Sequence, residues 1–259
     1  MNRLNMNKDR NWDAQHYKKH SQSQTKRGLS VIRSYPFVGD ENVLDVGCGD
    51  GRITAEIATK VPLGYVLGID VSQNMIDEAR KNFGFTENLE FQCIDATKFE
   101  NNEMFDLVVS FAALHWIADQ LSVLKKLHAS LRSGGPMYMI MAFDYRSPIS
   151  DVFKSEKWRD ALSKREPVFF GQTVDGLRGL LSMAGFEEIE VKVVDFSREF
   201  EDKKDLFNAM FAWVPSATGL SKDRAKEFTW DIVESICSAN KKDKIVWGTK
   251  SLHASAKKG

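Results

Sequence analysis

Between Asn42 and about Ala142, short apolar runs alternate with stretches whose apolar residues recur every three or four positions. The runs around Val43, Val66, Leu89, Leu107 and Met137 predict strands, and the segments around Ile53, Met75 and Leu121 predict helices. Strand and helix taking turns in this way predicts an α/β fold, a doubly wound and mostly parallel sheet with helices on both faces. Within residues 119–131, Leu121, Leu124, Leu127 and Leu131 form one helical stripe, which reads as plain core packing.

Upstream, residues 12–35 read as a helix with Leu29, Ile32 and Tyr35 at helical spacing and Pro36 as its stop. After Ala142 the alternation breaks, and the aromatic, charged segment through Phe170 reads as an insertion covering the site. Residues 173–184 predict a helix stopped at Gly185, followed by a strand through Ile189, Val191 and Val193. Helices over 206–213 and 221–239 follow, the latter with Ser221 as N-cap and Asp223 in its first turn, before a last strand over 244–249.

The run 42–54 joins a buried strand to a glycine loop and a helix, the arrangement of a nucleotide-cofactor site. Gly47, Gly49 and Gly51 remove side chains that would hold a ligand off the backbone, and the helix from Arg52 would aim its N-terminal amides at the crevice. Asp45 is placed either to accept hydrogen bonds from an ammonium or to order the loop. The spacing is G-x-G-x-G, so the third glycine comes too early for the G-x-G-x-x-G of a dinucleotide fold. Asp70 ends the second strand about 20 residues on, where an acid binds ribose hydroxyls. That position suits NAD and S-adenosylmethionine equally.

Lys and Arg number 36 and Asp and Glu 36, so the formal net charge is zero. This balance speaks against a broad nucleic-acid or membrane footprint, and Lys241, Lys242, Lys244, Lys257 and Lys258 read as solvated surface. Cys48, Cys93 and Cys237 are an odd number without a CxxC pair and read as reduced thiols of a cytoplasmic protein. A polar start and the lack of a long apolar run support neither a signal peptide nor a membrane span. His16 and His20, four apart, lack an intervening Glu and a third ligand, so no metal site is assigned.

Val43 to Gly51, Gly68 to Ser72 with Met75 and Ala79-Arg80, and Phe105 to Ser110 together resemble class I S-adenosylmethionine-dependent methyltransferases. Residues 131–135 are similar to the turn before the fifth strand of such enzymes. The resemblance implies a Rossmann-like sheet of seven strands, the last antiparallel and inserted beside the sixth, with a helical lid. The single domain, 1–259, would divide into an N-terminal helical substrate cap over 1–40, a cofactor core over 42–142, and covering helices over 143–172 and 200–240. It implies S-adenosylmethionine as cofactor and S-adenosylhomocysteine as product. Gly47, Cys48 and Gly49 would approach the methionine part, Asp45 its ammonium, and Asp70 the ribose. Val71 and Met75 would wall the adenine, and Asp95 with the amide of Ala96 would read its edge. An N-cap role is the competing assignment for Asp95. Ser110 ends the fourth strand, and Phe111 and Ala112 would pass under the transferable methyl. The Asn-Pro-Pro-Tyr and Asp-Pro-Pro-Tyr signatures of enzymes that methylate exocyclic nitrogens are absent from this position.

The segment 113–120, containing His115 and Trp116, resembles trans-aconitate and juvenile hormone acid methyltransferases, which esterify carboxylates. Residues 12–17, ending at Tyr17, are similar to the opening of the former group. Gln24-Thr25-Lys26-Arg27 resembles the helix of the latter that carries a substrate-facing glutamine. A carboxylate is already ionised near neutral pH, so its methylation needs aim rather than a base. Gln24 and the Trp116 indole would each fix one carboxylate oxygen. His115 would serve either as a base for a hydroxyl or carbon acid or as substrate packing. Tyr17, Lys26 and Arg27 are assigned to the substrate, with a plain helix-surface charge as the other assignment for the last two. Phe153, Trp158, Phe169, Phe170 and Trp213 suit an apolar acyl pocket or a core equally. The expected reaction is methyl ester formation on a small-molecule carboxylate by a monomer or weak homodimer. A malonyl-thioester carboxyl, a hydroxyl or a carbon acceptor is the enzymatic alternative. A non-catalytic cofactor-binding partner protein is the alternative of another class.

Overall fold

The computed structural model describes residues 22–143, 148–163, 170–239 and 244–259. Helix α1 (Gln22–Ser34) leads into β1 (Asn42–Val46), α2 (Arg52–Lys60), β2 (Tyr65–Asp70), α3 (Gln73–Phe83), β3 (Leu89–Cys93) and β4 (Leu107–Phe111). Then come α4 (Gln120–Ser130), β5 (Pro136–Ala142), α5 (Pro148–Lys154), α6 (Glu156–Ser163), α7 (Val174–Met183) and β6 (Phe186–Phe200). The chain ends with α8 (Lys203–Phe211), α9 (Val214–Thr218), α10 (Lys222–Ala239) and β7 (Ile245–Lys258). The seven strands form one sheet in the order β3-β2-β1-β4-β5-β7-β6. The first five pair in parallel, and β7 runs antiparallel between β5 and β6, as the resemblance implies.

Each face of the sheet has its own apolar layer. Leu124, Leu127 and Leu131 from the predicted stripe pack with Met137, Met139, Met141, Leu252 and Ala254 on one side. On the other, Ile32 of α1 and Ile57 and Ile76 of α2 and α3 cover Val43, Val66 and Leu107. A third cluster joins α5 and α6 to α8–α10 around Trp158, Phe228 and Ile232. Trp158 is fully buried, edge-on to Phe228, and its indole N–H donates to Asp231 at 2.6 Å. It is therefore core, and so unavailable to an acyl pocket. Phe153 and Trp213 pack on the same cluster, and Phe169 lies outside the described residues.

Two boundaries differ from expectation. Strand β6 extends to Phe200 and β7 to Lys258, because the two pair along nearly their whole lengths as one antiparallel ribbon. Lys258 is consequently not solvated surface: its side chain is 14 % exposed and its Nζ donates to Leu131 O at 2.8 Å.

Candidate functional site

The loop between β1 and α2 carries three glycines for three different reasons. All have positive φ, 76°, 55° and 80° at Gly47, Gly49 and Gly51, a conformation that suits residues without a Cβ. A Cβ on Gly47 would collide with Ala113, and one on Gly51 would meet Phe91 and Ala79 within 3 Å. Only Gly49 faces open space. The ligand-clearing role read from the sequence thus rests on Gly49, while its neighbours make room for the protein itself.

The loop amides also turn away from the crevice. The N–H groups of Gly47 and Cys48 both donate to Ile69 O, at 2.8 and 3.0 Å, and that of Gly51 to Cys48 O. Gly49 N donates to Asp70 Oδ2 at 3.0 Å, and Ser72 N donates to Asp70 Oδ1 at 2.9 Å. Asp70 thereby locks the glycine loop to the turn after β2. A pyrophosphate needs unused amides, and these amides are spent.

What the loop offers is carboxyl groups. Asp45 is buried, accepts from Thr54 Oγ1 at 2.8 Å, and is pushed up to about 7 by burial, with the nearby Asp70 adding to the rise and the Thr54 bond opposing it. Burial likewise raises Asp70 against the pull of its backbone donors. Asp50, also buried, pairs with Arg52 Nε at 2.8 Å. Three carboxyl groups around one loop, Asp45 and Asp50 buried and Asp70 partly so, suit a cationic ligand and disfavour a phosphate. Cys48 is buried with its thiol raised well above its ordinary value by desolvation, so it lines the loop as an inert group.

The remaining predicted cofactor residues fall around this loop. Val71 follows β2, and Met75 is buried on α3. Asp95 is an N-cap, its Oδ1 accepting from Thr97 N at 2.9 Å and from Thr97 Oγ1 at 2.8 Å, next to buried Ala96. The Ser110 hydroxyl turns into the sheet and donates to Val46 O at 2.9 Å, so it ties β4 to β1 rather than presenting its oxygen to the crevice. Phe111 and Ala112 follow, Ala112 with φ 60° and its N–H on Ile140 O.

Beyond them a short 3-10 turn, Leu114–Trp116, carries His115 and Trp116 with ring centroids 5.3 Å apart. His115 is buried, and its Nδ1 accepts the N–H of Ala142 at 3.2 Å. Desolvation, helped by the charge of Arg27, lowers its pKa to about 3. It is a neutral imidazole with its proton on Nε2, a donor and not a general base. Gln120, which the sequence reading passed over, clamps this turn: its Nε2 donates to Leu114 O and Phe170 O, and its Oε1 accepts from Gln172. Its polarity inside an apolar stripe was the available signal.

Helix α1 lies over the mouth of the crevice, with Gly28 pressed against Ile53 and the Phe111 ring. Arg27 is half-buried, not a surface charge, and its guanidinium sits 4.9 Å from the centre of the Phe196 ring. Lys26 is exposed. Tyr17 and the side chain of Gln24 lie outside the described residues. No cluster of potential metal ligands occurs among the described residues.

A doubly wound sheet of this order with a carboxyl-lined glycine loop is the fold of the class I methyltransferases. Residues 43–135, from β1 to the turn before β5, match the family described as a methyltransferase domain, and the chain is an S-adenosylmethionine-dependent methyltransferase. It is 26 % identical to juvenile hormone acid O-methyltransferase of Bombyx mori over 85 % of this chain and 84 % of that one. Trans-aconitate 2-methyltransferase of Rhodopseudomonas palustris is 27 % identical over 59 % of this chain, and the match spans 60 % of that enzyme. Among solved structures, phosphoethanolamine N-methyltransferase 2 of Haemonchus contortus, in complex with S-adenosyl-L-methionine, shares the fold. Its TM-score is 0.62 at 18 % identity, over 90 % of this chain and 53 % of that one. S-adenosylmethionine carries an ammonium and a sulfonium, and the carboxyl groups around the loop fit that charge. No helix among the described residues is long and apolar enough to cross a membrane.

Proposed function

We propose that the chain transfers a methyl group to a carboxylate oxygen of a small-molecule acid, forming a methyl ester. The observation that carries this reading is His115: buried, with Nδ1 taken by the N–H of Ala142 and its pKa lowered to about 3 by burial, it supplies no base. A carboxylate needs no deprotonation, whereas a hydroxyl or an activated carbon does. The two relatives named for acids support the same class of acceptor.

When bound, S-adenosylmethionine supplies a methyl group already activated on sulfur. Asp45 would hold its ammonium, and Asp70, with acceptor capacity beyond its backbone donors, the ribose hydroxyls. Val71 and Met75 would flank the adenine, with Asp95 and the Ala96 amide at its edge. Gly49 would let the ligand close on the backbone, and Phe111 and Ala112 would line the path of the methyl. His115 Nε2, the Trp116 indole N–H and Gln24 would orient the acceptor oxygens, while α1 excludes water. Rate then comes from holding oxygen and methyl in line in a dry site. We further place the protein in the cytoplasm, as a monomer or weak homodimer acting on small molecules.

A labelled-methyl screen of a metabolite extract with the purified chain tests this reading. Label that is released as methanol by mild base identifies an ester. Base-stable label, from an ether or carbon methyl, would overturn it.

A further inference from the structure

The amino ends of the strands, opposite the end that carries the glycine loop, hold a row of exposed apolar side chains. Val38, Leu63 and Phe85 stand in the turns that lead into β1, β2 and β3, and they are 85 %, 86 % and 81 % exposed. Those strands are neighbours in the order β3-β2-β1. At about 4.8 Å between strands, the row runs from Phe85 through Leu63 to Val38 over roughly 10 Å. The turns are pinned to one another: Leu63 N donates to Gly39 O at 2.9 Å, Val66 N to Asn88 O at 2.8 Å, and the Asn88 side chain to Ala58 O and Val61 O. Buried Glu41 holds the Val38 turn, accepting the N–H groups of Val38 and Gly39 at 2.6 and 2.9 Å. Three large apolar groups set side by side on pinned turns, away from the carboxyl ends where such sheets bind ligands, mark an interaction surface.

The charges around the row say what covers it. Arg33 and Asp40 flank Val38 in the chain, and Lys81 and Glu87 flank Phe85. All four are exposed, and among the described residues none has an ion-pair partner. Each end of the row therefore carries one charge of each sign, and the whole is neutral. Both cations come from the last turns of α1 and α3, helices on one face of the sheet, and both acids from the turns before strands. Such a surface is complementary to itself. A two-fold axis through Leu63 lays Phe85 of one copy on Val38 of the other, with Lys81 against Asp40 and Arg33 against Glu87, each contact made twice. A nucleic acid or an anionic bilayer would call for a basic face instead.

We propose that this row is the contact face of a homodimer, in which two copies of the chain meet end to end with their cofactor loops turned outward. It rests only on the dimeric half of the reading above and is independent of the acceptor. Three apolar side chains bury less than the about 800 Å² per partner of a standard interface, so the dimer is weak and concentration-dependent.

Sedimentation velocity of the full chain over a wide concentration range tests the proposal. The mass should rise from one chain toward two as concentration increases. Leu63→Asp should hold the chain monomeric throughout, with its melting temperature and its kcat in dilute solution unchanged. Lys81→Asp and Asp40→Lys should each weaken association at least tenfold, because each sets like charges against one another twice per dimer. Combined in one chain, the two substitutions should restore association to within about threefold, and the two single variants should pair with each other when mixed. That rescue occurs only where the surface opposite is a second copy. An unsubstituted chain that stays monomeric, a Leu63→Asp protein that still dimerises, or a double variant that fails to recover overturns the face. So does a monomer that floats with phosphatidylcholine vesicles in a Leu63-dependent way, which would put a bilayer there. A monomeric chain that yields a base-labile product leaves the ester reading standing and removes the dimer alone.

Discussion

The N–H of Ala142, at the end of β5, donates to Nδ1 of His115 at 3.2 Å and so fixes the imidazole tautomer. One hydrogen bond turns a residue that sequence alone leaves open as a base into a donor. An Asn side chain places its oxygen near where Nδ1 stands and has nothing at Nε2. His115→Asn should therefore keep the bond to Ala142 while losing the donor to the acceptor. Since a hydrogen bond to a charged group contributes about 1.5–3 kcal/mol, kcat/KM should fall roughly 10- to 100-fold with little change in melting temperature. Steady-state kinetics and thermal unfolding decide it, and an unaltered kcat/KM would remove His115 from the site.

The pH dependence of stability should expose two buried groups that oppose each other. His115 sits at about 3 when folded against an ordinary 6.5, so the unfolded chain binds more protons between those values and stability is lost as pH falls through them. Asp45 sits at about 7 against 3.8, so the folded chain binds more protons and stability is lost as pH rises through that window. Between about pH 4 and 6.5 the two slopes have opposite sign. Relative to the unsubstituted chain, His115→Asn should gain stability toward acid and Asp45→Asn toward neutrality. Denaturant titrations at pH 4.5, 5.5 and 6.5 give the slopes, and matching slopes in all three proteins would contradict both assignments.

With Asp45 on the cofactor's ammonium, as proposed, cofactor affinity should depend on pH. To meet an ammonium Asp45 must release its proton, which below about pH 7 costs a factor of up to ten in affinity per pH unit. S-adenosylhomocysteine should accordingly bind more weakly at pH 6 than at pH 7, with release of close to one proton. Calorimetry in two buffers of different ionisation enthalpy counts that proton. In Asp45→Asn the pH dependence should flatten and affinity should drop at least tenfold at pH 7.5. Proton release that persists in this variant would place the titrating group elsewhere.

The sheet core was legible because its strands are short apolar runs set among stretches of helix periodicity. All five parallel strands and their intervening helices stand where Val43, Val66, Leu89, Leu107 and Met137 put them. The loop was legible as a cofactor site, but not the separate duties of its glycines, since φ and the position of Ala113 or Phe91 are tertiary facts. Arg27 read more readily as surface because nothing in its own helix reveals Phe196, almost 170 residues away in the chain. The far half of the last strand was invisible for a related reason. Its run Ala254-Ser255-Ala256 is a weak β pattern, and its identity comes from pairing with β5 and β6.

The glycines should separate folding from binding. Gly47→Ala carries a left-handed backbone cost of about 1–2 kcal/mol plus overpacking against Ala113 of about 1–3 kcal/mol, and should destabilise visibly. Gly49→Ala carries only the backbone cost, because its Cβ meets nothing within 4 Å. It should remain folded yet bind S-adenosylhomocysteine at least tenfold more weakly, the methyl group intruding on the ligand's approach. Thermal unfolding with and without this ligand distinguishes the two. A Gly49→Ala protein with full ligand-induced stabilisation would show that the cofactor does not lie against this residue.

The last strand provides the sharpest test of the fold, because its sequence looks least like structure and yet it is paired on both sides, by β5 and β6. Leu252 is fully buried on the face shared with Leu124, Leu127 and Met139, and it pairs with Met141 on one side and Val193 on the other. Truncating such a residue removes its contacts and leaves a cavity, at a cost of about 2–5 kcal/mol. Lys257, five residues on in the same strand, is exposed and reaches only Glu188, a surface pair whose loss should stay within about 1 kcal/mol. If residues 250–258 were a frayed tail, Leu252→Ala and Lys257→Ala would be equally harmless. As the strand that joins β5 to β6, it requires Leu252→Ala to lower the denaturant midpoint strongly and Lys257→Ala hardly at all.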